Sequence, residues 1–486
     1  MAISLNTLGR TLLAQLYEIV TGGDASVPPS PHNFVSWCMP GIPFAPEDFA
    51  FAVKGMGGGA TAEEEKLLLN QAFSFSQIVD FIPDATGTYN NNMQETVWRT
   101  SEARMSHLYS EILRFSKVVT HELSNEEKAK LEKFRNFLRT TKKVKNLITD
   151  EETTLTVDGP VLQAYNEKMQ AYITAALVYN NKRVTAQSAT GVEGKAAVLD
   201  WANNAKLYRL QVKATEDAWT SGGYRNEIDQ INAYINQVTM RDMMLWKQHL
   251  LENFDNAKVS GLGPGQEFLY TTLIPGNFAN STGWTEFSYN HEQVSSSSHT
   301  ESNSWSVGGG VNFGLWSAGG SAHGESQNYS SDFSVSSFKI GFSLSQIVIS
   351  RPWFYPEFFM NRGWMLRKGE GWMYDDMPSD GQKPPKGNFI AYPTTILFAK
   401  NIVIDSADFR SHYDEYSRSV GGSASVGWGP FRVRGSYAHA ESGRNYNSEG
   451  SGSALRVPGM QIIGFVNHVI GKMPNPLPDL KEEDFH

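Results

Sequence analysis

Cysteine is almost missing from this chain. Cys38 stands alone among 486 residues, which excludes an intramolecular disulfide framework and leaves no basis for a cysteine-built metal site. Long hydrophobic runs are missing too. Nowhere do the roughly 18 apolar residues of a spanning helix follow one another, so any crossing of a bilayer would require a closed β-barrel. Positive charge is scarce, with a net charge of −9 and no basic block, so nucleic acid is not an expected partner. Signatures of catalysis are lacking as well. There is no Walker lysine loop, no HExxH and no GxSxG. The glycine runs at 55–60 and 261–266 lack the strand-then-helix setting of a phosphate loop and read as turns. Asp375, Asp376 and Asp380 fall in a Pro/Gly-rich loop. No enzyme, no cofactor and no metal is expected.

What is present changes character near residue 260. The N-terminal stretch has no basic n-region and no small-residue cleavage site, so it does not read as a secretory signal. Leu5, Leu8, Leu12, Leu16 and Ile19 instead recur at helical spacing. Thr61 with Glu64 and Ser124 with Glu127 form capping boxes, which open helices by satisfying exposed backbone donors. Met105, Leu108, Ile112, Phe115 and Val119 make one apolar stripe. Pro160 suits a first helical position, and a further pattern from Lys195 to Phe254 is broken at Gly222-Gly223. The fold class predicted is α+β. A mainly helical bundle over 1–260 is followed by an antiparallel β domain over 261–472, with an acidic Pro-rich tail at 473–486.

In the β domain the period becomes two, and two units share a plan of strand, long alternating hairpin and returning strand. The hairpins lie near 287–345 and 412–455. Successive side chains of a strand point to opposite faces. In the first hairpin one face carries Trp305, Val307, Val311, Phe313 and Leu315 at the tip, above a stem of Ser, Asn, Thr and Gly. That tip is about 11 residues long, matching the 9–11 of a tilted membrane strand. In the second, Val420, Val426 and Trp428 go out on one face and Phe431, Val433 and Tyr437 return on it, around a Gly429-Pro430 turn. The opposite face carries serines and glycines with Arg432 and Arg434. Apolar-out, polar-in alternation is the pattern of a strand between lipid and a water-filled lumen, so the two arginines are expected to face the lumen. A soluble sheet packed on one face gives the same alternation.

The organisation of FSYNHEQVSSSSHTESNSWSVGGGVNFGLW and SRSVGGSASVGWGPFRVRGSYAHAES resembles the two-hairpin plan of the perforin-like and cholesterol-dependent cytolysin superfamily and of gasdermins. The Ser-rich stem is also similar to the insertion loop of aerolysin-type toxins. The resemblance implies a soluble monomer that oligomerises on a membrane and inserts β-hairpins, with membrane lipid and other copies of itself as partners. It implies a soluble form, cytoplasmic or exported without a classical signal, and a target membrane for the oligomer. Three further features stand beside it. An aromatic-rich insert at 351–388 places Trp353, Tyr355, Trp364 and Trp372 near basic side chains, which suits a lipid or glycan contact or a core plug. His291, His299, His323, His412 and His439 fall within the hairpin units and would make refolding acid-sensitive if they gate it. The alternative from another class is a structural protein whose hairpins build a ring, tube or coat without entering a membrane.

Overall fold

The computed structural model describes residues 2–21, 32–56, 61–83, 96–97, 103–119, 124–145, 152–188, 191–263, 266–291, 315–318, 327–328, 333–367, 369, 372, 374, 377–382, 385–421, 424–436, 445–447 and 449–486. The fold mixes helices with antiparallel sheets, as the α+β expectation required. It divides into two compact units. The first comprises Met1–Ile112, Phe254–Met360 and Met373–Pro474; the second comprises Leu113–Asn253, Asn361–Trp372 and Asn475–His486.

The longer helices among the described residues are α1 (Leu5–Thr21), α2 (Ala62–Val79), α3 (Met105–Phe115), α4 (Asn125–Leu138), α5 (Pro160–Ser188), α6 (Gly191–Gly222), α7 (Arg225–Arg241), α8 (Met243–Asn256) and α9 (Ala407–Ser419). Their starts follow local chemistry. Thr61 accepts a hydrogen bond from the Glu64 amide, while the Glu64 carboxylate pairs with Lys54 rather than closing the box. At Ser124 and Glu127 both arms of the box form, satisfying two of the orphan donors of α4. Pro160 occupies the first position of α5, where its missing N–H costs nothing.

The first unit is built on one sheet. Its long strands are β1 (Asn33–Phe44), β2 (Thr285–Asn290), and, after the short β3 (Leu315–Ala318), β4 (Lys339–Ser350) and β5 (Ala391–Asp405). After the paired β6 (Ser425–Trp428) and β7 (Phe431–Ser436) comes β8 (Ala454–Val469). The central order is β2-β4-β5-β8-β1, all antiparallel, with Thr96–Val97 added in parallel to β1. Alternation buries both faces of the sheet. Ile340, Phe342, Leu397, Ile404, Leu455 and Val457 face α1, α9 and the β6–β7 hairpin. Ile347, Ile396, Phe398, Met460, Ile462 and Phe465 face α2 and the segments around Phe49 and Phe278.

The second unit holds α4 to α7 and most of α8. It also contains an antiparallel pair of strands, Arg139–Lys145 with Glu152–Asp158. The expectation of one helical bundle over 1–260 therefore gives way, most extensively at β1 and at the strands of 139–158. β1 is a strand of the central sheet, and Arg139–Lys145 pairs antiparallel with Glu152–Asp158, both containing Thr and Val, which stiffen at χ1 and favour strands. β1 escaped the pattern reading because it is buried on both faces, with Phe34, Val35, Trp37 and Cys38 all unexposed, so it shows no period at all.

Candidate membrane-inserting hairpins

The two long connections leave the sheet at one level. Asn290 pairs with Lys339, Lys339 with Asp405, and Asp405 with Ala454, so one row of residues across four adjacent strands marks the exit and return of both. Between them run residues 291–338 and 406–453, two inserts of equal length. Each joins neighbouring strands, β2 to β4 and β5 to β8, so either would continue as a hairpin if it were extended.

The second insert is not extended. Ser406 caps α9 by accepting from the Phe409 amide at 3.2 Å, and Phe409, Tyr413 and Tyr416 turn one face of the helix into the core. The stem read from sequence as an outgoing strand from about 412 is therefore helical up to Ser419. The three–four spacing of those aromatics, with Asp408 in the first turn and Arg418 in the last, was the signal for it. Val420 follows as the helix cap, half-buried against the same core. Gly421, with φ +83°, then lets the chain turn away from the helix.

The tip forms a hairpin with its turn at Gly429-Pro430, and Gly429 adopts φ +54°. Its apolar face is sealed: Val426, Trp428, Phe431 and Val433 are 0% exposed. Trp428 packs on Phe338 and Phe409 at ring separations of 5.2 and 5.8 Å, and Phe431 on Phe342 at 5.1 Å. The residues assigned to lipid thus face the protein core in this conformation. Lipid and core demand the same alternation, so the sequence alone could not separate them.

The polar face is fastened as firmly. Gln461 of β8, fully buried, accepts from the Arg432 amide at 2.8 Å and donates to the Arg432 carbonyl at 2.7 Å. The Arg432 side chain donates through Nε to the Gly41 carbonyl at 2.9 Å. Gly41 is indispensable to this approach, since a Cβ there would come within 2.5 Å of the Pro430 carbonyl oxygen. Arg434 donates to the Ala424 carbonyl at 3.0 Å and the Gly421 carbonyl at 2.8 Å. Both arginines assigned to a lumen are engaged by backbone carbonyls here.

Of the first insert, Trp305, Val307, Val311 and Phe313 lie outside the described residues, as does Tyr437 of the second. Leu315 begins β3, which pairs with β6 from Leu315↔Trp428 to Ala318↔Ser425. Strands of both inserts thus share one small sheet, ordered Gln327–Asn328, β3, β6, β7, Asn445–Asn447. The end of the first insert is also tied down. Ser334–Val335 pairs with Ile3–Ser4, and Ser336 donates through its amide (2.7 Å) and hydroxyl (2.6 Å) to the Asp408 carboxylate on α9. Those two donors, led by the hydroxyl, hold the Asp408 carboxyl below the usual carboxylate range. His291 opens the first insert, its amide bonded to the Phe338 carbonyl, and His412 lies on α9. His299, His323 and His439 fall outside the described residues.

Of the two readings of the aromatic insert, burial agrees with the core plug and not with the surface contact. Trp353, Trp364 and Trp372 are interior, so in this conformation they offer no face to lipid or glycan. Tyr355 is half-buried, and its amide donates to the Tyr109 hydroxyl at 3.2 Å. The Trp353 indole N–H reaches Thr271 at 3.3 Å, and its ring belongs to an aromatic cluster with Tyr109, Phe254 and Phe354. A cleft of about 210 Å³ lies beside it, lined by Asp80, Ser106, Lys258 and Glu267 among others. Asp80 is committed to the Ser106 amide and hydroxyl, and Lys258 to Asp255. Among the described residues no helix is long and apolar enough to cross a membrane, which does not bear on a β-barrel.

Comparison of the chain with protein-family models, with curated proteins and with solved structures returns no match.

Proposed function

We propose that this chain is a pore-forming protein, a water-soluble monomer that assembles with copies of itself on a membrane and extends both inserts into a shared transmembrane β-barrel. The observation that carries the reading is the row Asn290, Lys339, Asp405 and Ala454, from which two inserts of equal length leave one antiparallel sheet. This arrangement fits the two-hairpin plan that the sequence resembles. Extended, each arm would hold roughly two dozen residues and reach about 80 Å at about 3.4 Å per residue. That is far more than a bilayer needs, leaving a polar stem above an apolar tip.

The energetics favour release into lipid rather than into water. The four buried side chains of the second tip are each worth about 1.5–3 kcal/mol against exposure to water, which holds the hairpin in place. A bilayer keeps the same side chains out of water, so that penalty falls away at its surface. The remaining cost is the melting of α9, the loss of the Gln461 and Gly41 contacts, and the breaking of strand pairings such as that of β3 with β6. The edge of β2, which among the described residues has no strand partner on its outer side, is where a neighbouring copy would continue the sheet. That edge serves a soluble ring or tube equally well, which is the second reading. Release of a self-quenched dye from vesicles, with electron microscopy of the same samples, separates the two. Rings that penetrate the bilayer and leak support the pore, while stable rings without leakage support a coat.

A further inference from the structure

The second insert is stored with its tip already in the register that the extended sheet requires. At the end of the central sheet the ladder between β5 and β8 runs Ile402↔Val457, Val403↔Arg456, Ile404↔Leu455, Asp405↔Ala454. Continued outward one residue at a time, this ladder arrives at Gly427 opposite Arg432 and Trp428 opposite Phe431. Those are the pairs the stored hairpin makes now. Asp405 and Ala454 stand at equal separation from the Gly429-Pro430 turn, so the turn is already at the apex of the extended hairpin.

The phase agrees as well as the register. Ile402 and Ile404 lie on the sheet face that also buries Leu455 and Val457. Alternation carried along an uninterrupted strand puts Val426 and Trp428 on the face of Ile404, and Phe431 and Val433 on the face of Leu455. The core stripe of the sheet would thus run on into the apolar stripe of the tip without a half-step. A slip of one residue would set every one of these side chains on the wrong face. One local departure exists. Val426 is now opposite Arg434, so Val433 is an extra residue bulged from the returning strand. In the continuous ladder that bulge relaxes and Val426 faces Val433.

We infer that, on conversion, the β6–β7 hairpin travels as a preformed unit that keeps its turn and its Gly427↔Arg432 and Trp428↔Phe431 pairs. Among the described residues, α9 changes from helix to strand. The pairings that must break are those of β3 with β6, of β7 with Asn445–Asn447, and of Glu449–Ser451 with the start of β8. This inference rests on the pore reading.

Two cysteine pairs in a Cys38→Ala background test it. Gly427→Cys with Arg432→Cys locks the tip across a pair common to both states, and Ala318→Cys with Ser425→Cys locks the tip to the first insert. Each variant is compared oxidised and reduced, so that any effect of the substitutions themselves cancels. The probe is dye release from three vesicle compositions: phosphatidylcholine alone, with phosphatidylserine, and with cholesterol. The expected result is equal leakage from the oxidised and reduced tip lock, and loss of leakage from the oxidised cross-insert lock with recovery on reduction. A tip lock that is silent until reduced overturns the preformed register while leaving the pore reading in place. A cross-insert lock that leaks while oxidised overturns the separation of the inserts. Leakage absent from the parent protein on all three vesicles overturns the pore reading, and the inference with it.

Discussion

The two inserts start from the same row of the sheet and have the same length, yet they are stored differently. The second carries a tip hairpin in the register of the sheet it would extend, sealed beneath that sheet by apolar packing and by Gln461. The first is paired in another register. Continuing its ladder from Asn290↔Lys339 would set Ser317 opposite residue 312, whereas Ser317 now pairs with Gln327 on one side and Val426 on the other. One insert keeps the pairs at its apex while its other pairings break, and the pairs of β3 in the other lie outside the extended register altogether. The difference teaches that equal length and equal alternation do not imply equal readiness, because register belongs to the pairing rather than to the strand.

The largest expected effect comes from breaking the seal of the second insert. Val433→Arg would place an unpaired charge in a fully buried site, with a cost of about 3–5 kcal/mol, comparable to orphaning one partner of a buried ion pair. Denaturant unfolding should show a strongly lowered midpoint. Unchanged stability would mean that the tip is not held in the core in solution. Gln461→Leu comes next. It leaves the amide and carbonyl of Arg432 without their partners, at about 1–3 kcal/mol for each buried group. Hydrogen exchange at Arg432 should quicken and leakage should begin sooner, while the Ser334–Val335 pairing of the first insert stays protected. Equal loosening of both inserts would erase the contrast drawn between them.

Gly41→Ala is expected to be milder. The added Cβ would press on the Pro430 carbonyl oxygen, and overpacking of this kind costs about 1–3 kcal/mol. Its signature is faster exchange confined to β6 and β7, and protection equal to the parent's would show that the turn has room to shift. The smallest effect concerns the tie on the first insert. Because folding lowers the Asp408 pKa below its ordinary 3.8, the stabilisation from Ser336 is complete above that value and is lost as pH falls through the lower, folded value. Between pH 5 and 8 Asp408 stays ionised, so the protection it gives the Ser336 amide should not change with pH. In Asp408→Ala the amide should exchange faster across the whole range. A titration of that protection near pH 6 would assign the tie to another group.

Much of the helical part was legible because its signals are local. The Ser124 box, Pro160 and the Met105, Leu108 and Ile112 stripe each speak within one or two turns, and each stands where the spacing put it. The tip hairpin was legible for the same reason, its turn being set by Gly429-Pro430. What escaped depended on distance in sequence. Nothing in FVSWCMPGIPF announces that it will pair with residues 460–468, and a strand buried on both faces carries no alternation to detect. The helix at 407–419 was hidden behind a competing pattern. The period-two stripe from Val420 onward was read back into the stem, although Ser406, Phe409, Tyr413 and Tyr416 carry a helical signature of their own. The placement of Trp428 against Phe338 was beyond any reading by pattern, since core and lipid select the same side chains.

The pairing of β1 with β8 also sets an order of events during synthesis. Asn33 meets His468, so nearly the whole chain is made between the two partners. At about 5–20 residues per second the wait is on the order of tens of seconds. Gln461, which clasps the second tip, emerges on the same late strand. Both inserts precede β8 in the chain, so their apolar stripes are made before the strand that completes the covering sheet face and carries the clasp. Among the described strands β8 is the last to be made, so the segments it covers wait for it.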